Sequence, residues 1–266
     1  MLKKLFQSFR SPLRRAAHKR STPEVLNSNQ HPLRRGEISR YALSVVDRLQ
    51  QAGYQAYLVG GCVRDLLLNL EPKDFDVATS ATPEQVRAEF RNARVIGRRF
   101  TLVHVHFGRE ISEVATFRAN HPQGDEDEDS NLSSRNESGR ILRDNVYGSL
   151  EDDAQRRDFT INALYLDASC ERILDYANGV HDIRNRLVRL IGDPEKRYQE
   201  DPVRMLRAVR FAAKLDFEIE KHSAAPIPRL ARLLHEIPSA RLFDEVLKLF
   251  LAGNAEHTFE LLLEYN

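Results

Sequence analysis

Two aspartates two positions apart, Asp74 and Asp76 in KDFDVATS, are the first residues whose type and spacing point to chemistry. If residues 75–78 form a strand, both side chains leave the same face. Two ionised carboxylates about 5 Å apart repel by roughly 3 kcal/mol at an effective dielectric of about 20. Such a pair calls for a cation or a shared proton, and magnesium suits it because its oxygen ligands leave room for phosphate oxygens. An isolated Asp-x-Asp is common, and a solvated turn after Pro72 is the plain alternative. The neighbouring glycines shift that balance. Gly60 and Gly61 expose backbone N–H groups at a helix start, where the dipole favours a triphosphate, and Arg64 one turn onward adds charge. Read alone, the glycines fit a tight turn with no ligand equally well.

These residues need elements to hold them. Ile38, Ala42, Val45, Val46 and Leu49 recur at helical spacing up to Gly53, residues 57–59 read as a short strand, and the glycine turn leads into a helical segment over 63–68. Thr82 and Pro83 predict an N-cap and a first-turn proline for a helix reaching about Phe90. Residues 102–107 and 111–116 alternate around Gly108 and predict a hairpin, on which His104 and His106 share a face. With no third nitrogen or sulfur ligand nearby, hydrogen bonding suits those histidines better than a metal. Residues 159–166 and 173–176 predict further strands, and helical patterns dominate from Asp201 to Leu263. Asp201 reads as an N-cap with Pro202 at the first helical position, presenting Arg204 and Arg207 one turn apart. Strands and helices first and helices alone later predict an α/β (α+β) head over 36–190 and an all-α neck over 191–266.

Outside these units, residues 1–35 carry nine Lys and Arg against Glu24 and lack a hydrophobic period, which predicts a basic disordered tail; an organelle transit peptide has the same composition. Residues 121–140, with the acidic run 125–129, predict a second disordered excursion. The 266 residues, 41% hydrophobic and 30% charged, can bury one substantial core with a smaller helical extension. Cys62 and Cys170 stand far apart, which disfavours a disulfide framework or zinc site and fits a cytoplasmic setting. No run approaches the roughly 18–20 apolar residues of a membrane span, so no membrane partner is expected.

The ordered segments GGCVRDLLL (60–68), KDFDVATS (73–80), EVATFR (113–118), RRDFTINALYLD (156–167) and EDPVRMLRAVRFAAKL (200–215) resemble the class II tRNA nucleotidyltransferase and poly(A) polymerase superfamily over about 36–266. The resemblance implies a nucleotidyltransferase head of the DNA polymerase beta-like type with a mixed sheet, followed by the helical neck. It implies that Asp74 and Asp76 hold two magnesium ions with Glu113 completing or supporting the cluster. Asp158 is implied to recognise a ribose hydroxyl and to be needed for activity, with Arg157 near the phosphates. Asp201 and Arg204 are implied to meet the edge of the incoming base, with Arg207 beside them.

Two activities share that machinery. VIGRRFTLVHVHF (95–107) and LRDNVYGSLEDDAQRRDF (142–159) resemble the bacterial poly(A) polymerase branch, which adds AMP from ATP to RNA 3′ ends with release of pyrophosphate in mRNA processing and decay. ATP, RNA 3′ ends and RNA-degradation machinery are the partners this implies. Arg98 and Arg99 suit contact with nucleotide phosphate or RNA, with a merely solvated turn as the plain alternative. Arg229, Arg232 and Arg241 add charge to the neck, although a charged helix face is usually only solvated. ARLFDEVLKLF (240–250) reads as a brace for the preceding helix. A CCA-adding tRNA nucleotidyltransferase and a catalytically silent RNA-binding fragment remain the alternatives. Family members continue into helical body and tail domains that hold RNA, so the resemblance implies a shortened chain or a partner supplying that grip.

Overall fold

The buried stripe Ala42, Val45, Val46 and Leu49 makes residues Arg40–Gln51 a helix with one apolar face, capped where Ser39 accepts from the Tyr41 N–H. Full burial of each Val and Leu in that stripe contributes roughly 1.5–3 kcal/mol. Gly53 then turns the chain at φ 89°. A computed structural model of the protein describes residues 22–97, 101–119, 133–135, 141–144, 146–251 and 253–265. Its strands are β1 (Glu24–Leu26), β2 (Ala56–Val59), β3 (Asp76–Thr79), β4 (Ala93–Ile96), β5 (Leu102–Phe107), β6 (Glu110–Thr116), β7 (Ser133–Arg135), β8 (Ile141–Asp144), β9 (Leu164–Asp167), β10 (Arg172–Asp175), β11 (Leu187–Val188) and β12 (Glu218–Ile219). The α-helices are α1 (Arg40–Gln51), α2 (Gly61–Leu67), α3 (Pro83–Glu89), α4 (Leu150–Arg156), α5 (Gly179–Arg184), α6 (Pro194–Glu200), α7 (Val203–Leu215), α8 (Lys221–Ala224), α9 (Ile227–Leu230), α10 (Ser239–Phe250) and α11 (Ala255–Tyr265).

One eight-stranded sheet, ordered β1-β10-β9-β2-β3-β6-β5-β4, forms the head. It is mixed: β3 and β6 run parallel, while the other neighbouring pairs are antiparallel. Alternation assigns the faces. Leu58, Val77, Val103, Val105 and Val114 join the core packed by α1 and α3. Val59, Ala78 and Tyr165 turn to the other face, where Leu150 and Ala154 of α4 and Phe117 cover part of it. Asp76 pairs with Val59 and stands two residues before Ala78, so it emerges on this second, less covered face.

Past β10 the chain becomes helical. α7 buries nine residues, among them Met205, Ala208, Val209 and Ala212, and packs against α10 and α11. A mixed-sheet head followed by helices is the predicted architecture, with one small addition: β11 and β12 form a parallel pair across the head–neck junction.

Several boundaries differ from expectation. The tail does not extend to residue 35, because β1 pairs with β10, and Leu26 and Leu33 are 3% and 2% exposed. That segment lacks periodicity because it crosses the sheet edge as a short strand and irregular chain. Residues 1–21 lie outside the described residues, as do Arg98 and Arg99. Most of the acidic excursion does too, but Ser133–Arg135 is a strand paired with β8 rather than disordered chain. The strand expected over 159–166 starts later, because residues Thr160–Asn162 make a 3-10 turn before β9. Asp201 does not cap α7: it ends α6, and the helix begins at Val203 after Pro202.

Candidate active site

The site forms where β2 ends and β3 begins. Gly60 leaves β2 at φ 78°, a conformation suited to glycine, and a side chain there would meet Arg157 Nη1 at 3.6 Å and the Asn162 carbonyl at 3.7 Å. α2 starts at the next residue. Register places Val59 opposite Asp76, so the glycine turn and the acid are neighbours across one strand pair. On the other side of β3, Val77 pairs with Val114, which puts Glu113 beside Asp76 on the parallel strand β6.

Asp76 opens β3, while Asp74 lies just ahead of it in an exposed loop rather than on the strand. Asp76 is open on one side, yet partial burial raises its carboxyl to about 6, helped by the charges of Glu113 and Asp74 and opposed by Arg157. Burial of an unpaired charge and repulsion between like charges act together here. Among the described residues, no three or more His, Cys, Asp or Glu side chains close into a metal cage. Glu113 and Asp74 are near enough to repel the Asp76 charge, but the three acids do not close into such a cage. An all-oxygen set with excess negative charge fits a hard divalent cation that keeps further positions for phosphate oxygens.

His104 pairs with Glu113 across β5 and β6, its Nε2 at 3.4 Å from the carboxylate, and its ring lies 6.2 Å from His106. His104 thus hydrogen-bonds at the rim of the acid cluster, while His106 meets its ring edge-on.

Arginines make the opposite wall. Asp153 Oδ2 accepts from Arg157 Nε and Nη2 at 3.2 and 3.0 Å and from the Tyr165 hydroxyl at 2.6 Å. Tyr165 in turn accepts from Arg157 Nε at 2.9 Å. Among the described residues Arg157 Nη1 has no hydrogen-bond partner and lies against the glycine turn. Burial works against the charge of Arg157, but Tyr165 and Asp153 outweigh it and hold the guanidinium protonated. Arg156 is lowered to about 9 by burial and then by Arg118, Arg157, Arg197 and Arg204, which marks a crowd of cations. Arg197 is lowered to about 10, by burial first and Arg204 next.

Asp158 joins the head to the neck. Its Oδ1 accepts from the Phe159 N–H at 2.8 Å and from Asn162 at 3.3 Å, and its Oδ2 takes Arg207 Nε at 2.8 Å together with Arg207 Nη2. Burial alone would raise it, but Arg207 and these donors hold it at about 2. Arg197 forms a second tie, donating from Nη2 to the carbonyls of Arg156 and Arg157 at 2.6 and 2.5 Å and from Nη1 to Glu200 at 3.2 Å.

Three expected residues are placed differently. Arg64 is 3% exposed and bonds Asp65 and Asn162, so it braces the turn from beneath instead of offering its charge. Arg204 does stand one turn from Arg207 on α7, but its charge is engaged: it donates to the Arg197 carbonyl at 2.7 Å and to Glu200 at 3.3 Å. Asp201 pairs with Arg241 through Oδ2 at 2.7 Å, leaving Oδ1 buried and without a hydrogen-bond partner. Arg241 thus braces Asp201, while Glu245 of the same helix receives Arg210 at 2.8 Å. Arg118, Asp153, Asn162 and Arg197 were missed as site residues. Only the i, i+4 spacing of Asp153 and Arg157 carried a local signal.

The mixed sheet with acids at the start of β3, a glycine turn beside them and a helical extension defines a nucleotidyltransferase head. Residues 56–189 match the family described as "Poly A polymerase head domain", and residues 216–266 match "Probable RNA and SrmB- binding site of polymerase A". The chain belongs to the poly A polymerase head domain family. It is 58% identical over 242 residues to "Poly(A) polymerase I" of Salmonella typhimurium, covering 91% of this chain and 52% of that protein. A "CCA-adding enzyme" of Lactobacillus helveticus is 38% identical over 84% of this chain and 53% of its own length. Among solved structures, the Bacillus stearothermophilus CCA-adding enzyme in complex with CTP matches with a TM-score of 0.70 and 37% identity, over 84% of this chain and 51% of that one. The chain spans about half the length of the curated relatives it matches. Among the described residues no helix is long and apolar enough to cross a membrane.

Proposed function

We propose that this chain is a template-independent polynucleotide adenylyltransferase that transfers AMP from ATP to RNA 3′ ends and releases pyrophosphate. The observation that carries the reading is Asp76, an acid left short of counter-charge between Glu113 and Asp74 and one strand pair from the Gly60 turn. Asp74 and Asp76 would hold two magnesium ions, with Glu113 supporting them. When bound, the metal supplies charge that eases loss of the 3′-hydroxyl proton and stabilises the departing pyrophosphate.

The protein's own groups position the nucleotide. The N–H groups after Gly60 and the Nη1 of Arg157 meet the triphosphate. Asp158, locked to Arg207, forms a fixed edge for the ribose. Asp201 Oδ1, buried without a partner, accepts from an exocyclic amino group of the base, and Arg204 and Glu200 set its surroundings. Domain roles follow: residues 36–190 carry the chemistry, and 191–266 hold the base and RNA. A cytoplasmic setting and RNA-degradation partners fit this activity.

A second reading rests on one observation. An acceptor such as Asp201 Oδ1 meets the amino groups of adenine and cytosine alike, and relatives at 38% identity are CCA-adding enzymes. Identity of 58% to poly(A) polymerase I favours adenylate tailing. The test is incubation with a short RNA, magnesium and each nucleoside triphosphate separately, beside an Asp74→Ala/Asp76→Ala double variant. ATP-only ladders that vanish in the variant are expected. CTP incorporation on tRNA lacking its terminal triplet would transfer the assignment to the second reading, and RNA binding without incorporation would defeat both.

A further inference from the structure

Tyr165 is fully buried, and the hydroxyl is its only polar side-chain group. Its ring meets Tyr57 and Tyr176 edge-on at 6.4 and 6.5 Å, contacts that a phenylalanine would make as well. A buried phenol needs hydrogen-bond partners, and this one finds both in a single ion pair: it donates to Asp153 Oδ2 at 2.6 Å and accepts from Arg157 Nε at 2.9 Å. We propose that Tyr165 and Asp153 form a positioning clamp that fixes the Arg157 guanidinium with Nη1 on the nucleotide's triphosphate, an assignment that rests on the function proposed above.

Each member of the clamp has a separate task. Asp153 takes Arg157 Nε and Nη2 on one oxygen, Oδ2, at 3.2 and 3.0 Å, instead of on the two oxygens of a bidentate fork. Its Oδ1 is turned to the Arg118 backbone N–H at 3.2 Å. A guanidinium held at a single oxygen can pivot about it. The Tyr165 oxygen supplies a second fixed point, pinned in turn by the bond it donates to Oδ2, so that Nε, the hydroxyl and the carboxylate oxygen close a triangle. The guanidinium carbon also lies 5.2 Å from the Tyr165 ring centroid, within cation–π range. With the Nε and Nη2 edge taken, Nη1 is the nitrogen left facing the glycine turn. Paired with Asp153, Arg157 offers the nucleotide a directed donor more than a free charge, and direction is what the hydroxyl controls.

Sheet register aims the clamp. Tyr165 pairs with Val59, the residue before Gly60, and the Gly60 N–H donates to the Leu164 carbonyl at 3.2 Å. The anchor of Arg157 and the turn it faces are therefore set by the same two strands, β9 and β2. Asp153 reaches this point from α4, four residues before Arg157, and its bond to Arg118 ties it to the chain leaving β6, the strand of Glu113. A side chain already held by rigid elements loses little freedom when phosphate arrives, which favours nucleotide binding.

Tyr165→Phe removes the hydroxyl and keeps the ring. It is expected to raise the ATP KM about five- to tenfold, the effect of one lost hydrogen bond, and to raise the inhibition constant of pyrophosphate by the same factor. The RNA KM stays within about twofold, and kcat falls less than the ATP KM rises, because the clamp acts on nucleotide phosphates in the ground state. A residue that only filled the core would lower the thermal midpoint and leave the ATP KM and pyrophosphate inhibition unchanged, and that result overturns the proposal. A double-mutant cycle reads whether the effect passes through Arg157. Arg157→Ala alone should raise the ATP KM at least as far, and Tyr165→Phe added to it should raise it no further. Additive effects overturn the clamp. Should Tyr165→Phe fold poorly, Asp153→Asn is expected to give the same rise in the ATP KM, and an unchanged value there overturns the proposal equally. If the unaltered protein incorporates no AMP, the proposed function fails, while ATP and pyrophosphate binding by isothermal titration calorimetry, with calcium in place of magnesium, still decides the clamp.

Discussion

Asp76 and Asp158 belong to one site and are held in opposite ways. Asp76 lies on the open face of the sheet, and burial together with two neighbouring acids drives it up to about 6. Asp158 lies at the head–neck seam, where Arg207, Asn162 and a backbone N–H outweigh burial and drive it down to about 2. The seam acid is satisfied by the protein and spends its charge on holding two regions together. The strand acid is left unsatisfied, which disfavours the apo fold locally and creates affinity for a ligand that brings positive charge.

Five substitutions sharpen or break this contrast. Asp76→Asn is expected to have the largest effect, a loss on the order of 10³-fold in AMP incorporation with the thermal midpoint unchanged or raised, because removal of electrostatic positioning costs that much while like-charge repulsion is relieved. A lowered midpoint, read by differential scanning fluorimetry, would mean that Asp76 is a structural acid like Asp158. Arg207→Ala should do the reverse of Asp76→Asn and weaken the fold. The expected loss in urea unfolding is roughly 2–3 kcal/mol, below that of a fully enclosed pair because Arg207 is partly open to solvent.

Linkage gives that second test a pH signature. The folded value of Asp158 is depressed, so its contribution is complete above the unfolded carboxylate pKa of about 3.9 and is lost as pH falls through about 2. The stability gap between the unaltered chain and Asp158→Asn should therefore narrow as pH drops from about 4 toward 2. A gap that stays constant over that window would remove Asp158 as the seam acid.

Arg197→Lys probes the tie between the regions. A single ammonium cannot replace a guanidinium that holds two consecutive carbonyls and Glu200, so Arg157 and Asp158 lose their setting. The expected result is a several-fold rise in the ATP KM with a smaller change in kcat, as loss of ground-state positioning requires; an unchanged KM would show that the seam is held by Asp158 and Arg207 alone. His104→Ala should be the mildest. Its contact with Glu113 is long and half-open, so less than about 0.5 kcal/mol of stability is at stake. A large loss of activity there would enlarge the acid cluster to include the histidine.

Much of the head was legible from local pattern. The stripe of α1, the cap at Thr82 and Pro83, the hairpin around Gly108 and the glycine turn before α2 all follow from spacing and residue type, and the structure places them within a residue or two. β1 was illegible because three residues at a sheet edge carry no period. The start of α7 was misread because Asp201 and Pro202 look like a cap, whereas the Asp201 carboxylate is drawn away by Arg241, forty residues on.

The sequence alone determined the acids, the glycine turn and the order of the motifs, since each is a property of a few adjacent residues and of backbone geometry. Only the tertiary structure decided which charges are free to act. Arg64 and Arg204 carry the same charge as Arg157, yet Asp65, Asn162 and Glu200 occupy the first two, while the third keeps one N–H directed at the glycine turn. Charge depends on residue type, but its availability depends on partners brought from distant parts of the chain, and burial sets how strongly those partners compete with water.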